Sequence, residues 1–250
     1  MLMSDKAMIF DIQRNSFADG PGIRTTIFFK GCNLNCSWCH NPEGISMEKQ
    51  MMFFKYKCIG CGRCSEFNDN DIDKSVDVCP AGARKICGTE YDVQTLLNIV
   101  TADKSFYDNS GGGITCSGGE CMLQIDFLKT FLRRCTEMEI NTAVDTAGNV
   151  PFKYFESILE YTNLFLYDIK VLDEKLHKKL TGDDNKLILS NFEKLIAICP
   201  EKLIARVPVI PCANGDEIDS ITMYLNERGI NTEFLPYHEF GKSKAASLLK

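Results

Sequence analysis

Three cysteines fall within residues 32–39, in the run Gly31-Cys32-Asn33-Leu34-Asn35-Cys36-Ser37-Trp38-Cys39, a C-x3-C-x2-C spacing. Thiolates this close can hold three irons of a [4Fe–4S] cluster. No fourth cysteine adjoins them, so one iron is left open to a small-molecule ligand. A zinc knot or three buried thiols are the competing readings, but zinc prefers a closed set of four donors. Trp38, between two of the ligands, reads as a shield for the cluster rather than a reagent.

A second group follows, Cys58-Ile59-Gly60-Cys61-Gly62-Arg63-Cys64, and then Cys79-Pro80. This is similar to half of a bacterial ferredoxin, in which C-x2-C-x2-C supplies three ligands and a more distant Cys-Pro a fourth. Fourteen residues separate Cys64 from Cys79, and no second run follows. The expectation is one auxiliary [4Fe–4S] cluster on Cys58, Cys61, Cys64 and Cys79. Cys87 is the rival fourth ligand, and a four-thiolate structural zinc site is the competing reading. The chain has 13 cysteines. An odd number in tight clusters argues against a disulfide framework and for metal binding in a reducing compartment. Cys116, Cys121 and Cys135 read as small buried fillers. Cys199 and Cys212 carry no motif, and His177, in a charged segment, reads as solvated.

These groups need a frame. The chain of 250 residues, 44% hydrophobic and 25% charged, fits one core with a small inserted module. Apolar and β-branched runs predict strands at residues 25–29, 113–117, 141–144, 164–167, 203–210 and 231–235. Helical spacing predicts helices at 93–100, 127–138, 152–159, 187–197 and 217–228. Alternation of this kind implies parallel β/α units, as a partial barrel or an open sheet. Fifteen residues follow the last strand, which leaves little room for a covering helix. Chemistry-bearing residues sit at the C-terminal strand ends, where such barrels collect their sites. Cys32 follows the first strand and Gly118-Gly119-Glu120 the second. Asp145-Thr146 follow the third, Asp168 and Lys170 the fourth, Arg206 lies in the fifth and His238 follows the sixth. Taken singly, the Gly-Gly-Glu run is a tight turn, Asp145 and Thr146 are helix caps, and the cations are solvated charges.

Together these motifs resemble a known family. Cys36-Ser37-Trp38-Cys39-His40-Asn41-Pro42-Glu43, Asp19-Gly20-Pro21-Gly22-Ile23-Arg24, Ser117-Gly118-Gly119-Glu120, Asp145-Thr146 and Asp168-Ile169-Lys170 are all similar to radical S-adenosylmethionine (SAM) enzymes that activate glycyl radical enzymes, the family of pyruvate formate-lyase activating enzyme. So is the run from Leu235 to Lys242, and the match spans residues 8–242 in order. The resemblance implies a partial (β/α)6 TIM-like barrel over residues 1–50 and 89–250, with a ferredoxin-like insert at 51–88. It implies that the open iron is chelated by the methionine amine and carboxylate of SAM. The resulting 5′-deoxyadenosyl radical would abstract hydrogen from a glycine of a partner enzyme. Gly118 and Gly119 would admit the SAM methionine, having no Cβ, and Glu120 and nearby backbone groups would receive its amine. Asp145, Thr146 and Asp168 would surround a monovalent cation, for which hard oxygens suit. Lys170, Arg206 and His238 would meet the SAM carboxylate or ribose, or the substrate loop. A flavodoxin or ferredoxin is the implied electron donor, and the insert would relay electrons or touch the partner.

A radical SAM enzyme acting directly on a small metabolite shares the first motif but does not need the other stretches. A non-catalytic electron-transfer or zinc protein would not need an open iron. A formal net charge of −6 with no basic tract argues against nucleic acid. No run approaches the ~20 apolar residues of a membrane helix, and residues 1–13 do not resemble a secretory signal. A cytoplasmic monomer is expected.

Overall fold

The computed structural model describes residues 6–67, 71–237 and 239–248. Its frame is an eight-stranded sheet. Six strands are parallel and are the six that the apolar runs predict: β2 (Arg24–Phe29), β6 (Gly113–Gly118), β7 (Thr142–Thr146), β8 (Leu164–Asp168), β9 (Leu203–Val209) and β10 (Asn231–Pro236). Two antiparallel strands that the sequence reading lacked, β1 (Lys6–Ser16) and β5 (Thr89–Asp92), extend the β2 side. The order is β10-β9-β8-β7-β6-β2-β1-β5, and the two end strands do not pair. β1 was hidden because only Ala7, Ile9 and Ser16 are buried; Asp11, Gln13, Arg14 and Asn15 face outward. A strand near the edge of a sheet needs only one dry face.

Helices α2 (Val93–Thr101), α3 (Lys104–Ser110), α4 (Ile125–Glu137), α5 (Phe152–Ile158), α6 (Glu174–Thr181), α7 (Lys186–Ile198) and α8 (Ile218–Asn226) fill the crossovers. On α4 the predicted stripe of Phe127, Leu128, Phe131, Leu132, Cys135 and Met138 is buried as far as Cys135, while Met138, just past the helix end, is exposed. Each such side chain contributes roughly 1.5–3 kcal/mol on leaving water. Helix α6 was not predicted, because its sequence is mostly charged. His177 on it is buried, a correction to its reading as solvated: its Nδ1 lies 2.7 Å from the Asp183 carbonyl and 3.0 Å from Thr181 Oγ1.

The cysteine-rich segment forms its own two-stranded antiparallel sheet from β3 (Gln50–Phe53) and β4 (Arg84–Cys87), with α1 (Ile72–Asp77) between them. After β10 the chain forms one more helix, α9 (Phe240–Ser247), for which the sequence seemed to leave little room. It avoids the sheet and packs on the 3-10 turn Pro42–Gly44 and on β3. Among the described residues, no helix is long and apolar enough to cross a membrane.

Arg24 staples the sheet from within. Its side chain is 1% exposed, and it donates to Thr115 Oγ1 (2.7 Å), Asn141 Oδ1 (3.0 Å) and the Pro21 carbonyl (3.2 Å). Burial pushes its pKa down to about 10. Arg24→Ala leaves a cavity and stranded acceptors, so it should destabilise the cluster-free protein by roughly 2–4 kcal/mol in urea unfolding.

Candidate active site

The C-terminal ends of the parallel strands open on a cavity of about 610 Å³. Cys32, Cys36 and Cys39 line it, together with Gly118, Gly119, Asp145, Thr146, Asp168, Lys170 and Arg206. The structure thus gathers all but one of the described residues that the sequence nominated for the SAM site. The exception is Glu120; His238 lies outside the described residues.

The cysteine loop is built on backbone contacts. Its arms are tied by Gly31 N to the Gly44 carbonyl (2.8 Å) and Cys32 N to the Ile45 carbonyl (2.9 Å). Cys39 N closes a turn onto the Cys36 carbonyl at 3.0 Å. From outside, the last carbonyls of α6 accept from the loop: Asn35 N reaches Thr181 O at 2.7 Å and Ser37 N reaches Leu180 O at 2.9 Å. Helix-end carbonyls have no partner within their own helix, and here the loop supplies one. Trp38 packs with Val171 and Ile210 against Cys36.

Gly118 and Gly119 line the cavity, yet the close approach they permit is to the protein itself. A Cβ on Gly118 would lie 2.3 Å from the Phe29 carbonyl oxygen, and one on Gly119 would lie 2.3 Å from that of Gly31. Gly119 N donates to Phe29 O (2.9 Å) and Glu120 N to Gly31 O (2.7 Å). Glu120 turns inward and is fully buried. Its carboxylate accepts from Thr146 Oγ1 (2.8 Å), Ala147 N (3.1 Å) and Met122 N (3.2 Å). It therefore caps a turn rather than facing the cavity, a correction to its expected role as receiver of the SAM amine. Burial pushes its pKa up to about 7, with the Thr146 hydrogen bond opposing.

The charges at the strand ends are paired. Lys170 Nζ lies 2.5 Å from Asp168 Oδ2. Burial pulls the Lys170 pKa down, but Asp168 and the Cys36 thiol outweigh it and the ammonium is held charged. Arg206 Nη1 lies 3.4 Å from Asp145 Oδ2, which also accepts from Ser117 Oγ at 2.6 Å. Burial pushes the Asp145 pKa up to about 6, against the pull of Arg206. Asp145, Thr146 and Asp168, the residues expected around a cation, stand at neighbouring strand ends with partners of their own. The Thr146 hydroxyl is turned to Glu120, and both carboxylates already face a protein cation. Asp19, which the sequence reading left off the site, lines the same cavity. Its Oδ2 accepts from Ser16 Oγ (2.5 Å) and Thr26 Oγ1 (2.7 Å). The motif containing Asp19 was the available signal.

The donor set fits an iron–sulfur cluster. Burial pushes the Cys32 thiol up to about 12, Cys39 to about 11 and Cys36 also upward. Three buried thiolates need a cation to share, and Lys170 is the protein cation acting on all three. Among the described residues, no three Cys, His, Asp or Glu side chains converge on a single metal ion.

In the cysteine-rich segment, Cys58, Cys61, Cys64 and Cys79 line one small pocket with Phe53 and Arg84. Backbone N–H groups point at two of these sulfurs: Ala83 at Cys79 Sγ (3.3 Å) and Gly60 at Cys58 Sγ (3.5 Å). Cys87 is elsewhere, buried against Lys30.

A parallel sheet with three thiols and paired charges at its mouth defines an iron–sulfur enzyme of the radical SAM class, and comparison with known proteins agrees. The model of a "4Fe-4S single cluster domain" family matches residues 18–195. Trans-4-hydroxy-L-proline dehydratase activating enzyme of Clostridioides difficile is 37% identical, over 97% of this chain and 88% of that one. Indoleacetate decarboxylase activating enzyme of Tractidigestivibacter scatoligenes is 37% identical, over 96% and 85%. In fold alone, SAM-bound SuiB of Streptococcus suis is similar, with a TM-score of 0.53 at 14% identity, covering 86% of this chain and 38% of that one. The chain belongs to the radical SAM activating enzymes of glycyl radical enzymes. It uses a [4Fe–4S] cluster and SAM, and its partner is a glycyl radical enzyme.

Glu120 and Asp145 hold protons in the fold that they lose near pH 4 when unfolded. The folded state therefore binds more protons between that pH and about 7, and stability falls as pH rises through this window. Glu120→Gln should flatten that fall, leaving the part due to Asp145. Urea midpoints of cluster-free protein at pH 5 and pH 8 measure it.

Proposed function

We propose that Cys32, Cys36 and Cys39 hold the SAM-binding cluster and that the cavity beside them receives SAM and the partner's glycine. The observation that carries this reading is the presence of three thiols and the Asp145–Arg206 and Asp168–Lys170 pairs around one space. When bound there, a reduced [4Fe–4S] cluster supplies the electron that cleaves SAM to methionine and a 5′-deoxyadenosyl radical, which takes hydrogen from a glycine Cα to give 5′-deoxyadenosine and a glycyl radical. Lys170 and Arg206 offer donors to the SAM carboxylate and ribose. Asp145 and Asp168 keep those cations oriented. Trp38 excludes water from the side of Cys36.

The segment 51–88 is a separate insert holding an auxiliary [4Fe–4S] cluster on Cys58, Cys61, Cys64 and Cys79. Support comes from the pocket these four share and from the position of Cys87 outside it. Lys55, Lys57 and Arg63 are exposed beside Cys58 and Cys61, and none pairs with a carboxylate among the described residues. In a chain of net charge −6, that positive tip suits an acidic flavodoxin or ferredoxin as electron donor. Clustered thiols of this kind belong in the reducing cytoplasm.

Two experiments test these readings. Reduced, reconstituted protein mixed with SAM and a glycyl radical enzyme encoded beside it should give a glycyl doublet in EPR. Cys36→Ala should abolish both the doublet and 5′-deoxyadenosine; a surviving doublet would remove Cys36 from the chemistry. Iron analysis should find about eight irons per chain, falling to about four in a Cys58→Ser/Cys79→Ser variant and unchanged in Cys87→Ser.

A further inference from the structure

Helix α9 docks where an eight-residue helix has little reason to stay. Among its described side chains it presents no apolar stripe: Lys242, Ser243, Ala245 and Ala246 are exposed, and Gly241 is buried. What holds it is specific. Lys244 Nζ lies 2.9 Å from Glu43 Oε1 and donates to Asn41 Oδ1 at 2.8 Å. The Glu43 side chain is 7% exposed, and its other oxygen has no hydrogen-bond partner among the described residues. One turn earlier, a Cβ on Gly241 would meet the Cys39 carbonyl oxygen at 2.1 Å. The helix backbone therefore lies directly against the third cysteine. Just before α9, the Tyr237 ring stacks on His40 at 6.1 Å. His40, Asn41 and Lys244 all line the large cavity.

We propose that Lys244 is a positioning residue that latches α9 onto residues 39–43 of the cysteine loop and so closes one wall of the SAM cavity. The reason is electrostatic. Without Lys244, the buried Glu43 carboxylate would lose the cation 2.9 Å from it and keep only the pull of Lys30, whose ammonium is spent on the Glu43 carbonyl, and removing one partner of a buried pair leaves its charge poorly compensated. The loop relieves that charge by moving Glu43 toward water. Asn41 lies on the same short turn and shares the Lys244 ammonium, so it moves with Glu43. Cys39 is tied separately to Cys36, its N–H lying 3.0 Å from the Cys36 carbonyl, so the three ligands keep their spacing and cluster loading does not depend on the latch. The part of this inference that concerns SAM rests on the assignment of the cavity proposed above.

The test uses the complete protein, reconstituted anaerobically. Lys244→Ala should raise amide hydrogen exchange over residues 39–45 and 240–248 and weaken SAM binding about tenfold, with iron content unchanged. Lys244→Arg, which keeps a donor for the carboxylate, should stay within about twofold of the parent. In Glu43→Gln protein the same Lys244→Ala change should do far less, because no carboxylate is left unpaired. Unchanged exchange over residues 39–45 in Lys244→Ala, or an undiminished effect in the Glu43→Gln background, would overturn the latch. Raised exchange with unaltered SAM affinity would uphold the latch and instead overturn the assignment of this cavity to SAM.

Discussion

The architecture of the site depends on how closely β6 approaches the cysteine loop. Backbone meets backbone there, with Gly119 N on the Phe29 carbonyl at 2.9 Å and Glu120 N on that of Gly31 at 2.7 Å. No side chain fits between, since a Cβ on Gly119 would stand 2.3 Å from the Gly31 oxygen. Glycine at this position is a demand of the protein's own packing before any ligand arrives. The consequence continues into the next strand. With its N–H committed to the loop, Glu120 sends its carboxylate under β7, where Thr146 and Ala147 satisfy it. Asp145 and Ser117 are thereby left as the groups that reach the cavity at this point. One tight contact fixes the floor beneath the cysteines and also decides which acidic group faces the chemistry.

Electrostatics then decides what that cavity can hold. Asp19, Asp145 and Asp168 face Lys170 and Arg206 across its walls, while Lys244 is already paired with Glu43. The balance is one carboxylate in excess, before the thiols are counted. SAM carries a sulfonium and an ammonium against one carboxylate, so its net charge complements that excess in a space where water screens poorly. The thiols are the larger problem. Each is driven toward its neutral form by burial, and Lys170 must serve Asp168 as well as all three. A multi-iron cluster resolves this better than one divalent ion could. It spreads the compensating positive charge over the whole width of the cysteine turn.

The six parallel strands were legible because each is a short β-branched or aromatic run followed by the residues that do chemistry. The cysteine spacing was legible because a ligand set is a local pattern. What escaped shares a different trait. β1 and β5 are edge elements with wet faces, and α6 is mostly charged outside its buried positions His177 and Thr181, so none has the periodicity that burial imposes elsewhere. Yet α6 is what grips the loop at Asn35 and Ser37. The inward turn of Glu120 and the separation of Cys79 from Cys87 are also invisible in one dimension. They depend on Thr146 and Lys30, which lie 26 and 57 residues away in the chain.

Lys30 shows how the cysteine-rich segment can be carried without disturbing the sheet. It follows β2 directly, is fully buried, and spends its ammonium on three acceptors. These are the Glu43 carbonyl at 2.6 Å, Gln50 Oε1 at 3.0 Å and Cys87 Sγ at 3.7 Å. An ammonium has three protons to place, and each acceptor comes from a different segment: the cysteine loop, the first strand of the insert and its last. Gln50 and Cys87 are themselves partners in the β3–β4 register. The cysteine-rich segment therefore departs from the sheet and returns to it at one point, pinned under the loop that bears the first cysteine motif. A segment closed in this way adds little strain to the strands around it. It also accounts for the two kinds of cysteine found there. Cys87 is consumed as an acceptor at the root, where burial raises its pKa and Lys30 opposes the rise. Cys58, Cys61, Cys64 and Cys79 share a pocket of their own, away from that root. The same buried cation thus anchors the insert and steadies the carbonyl of Glu43, the residue on which the C-terminal helix is held.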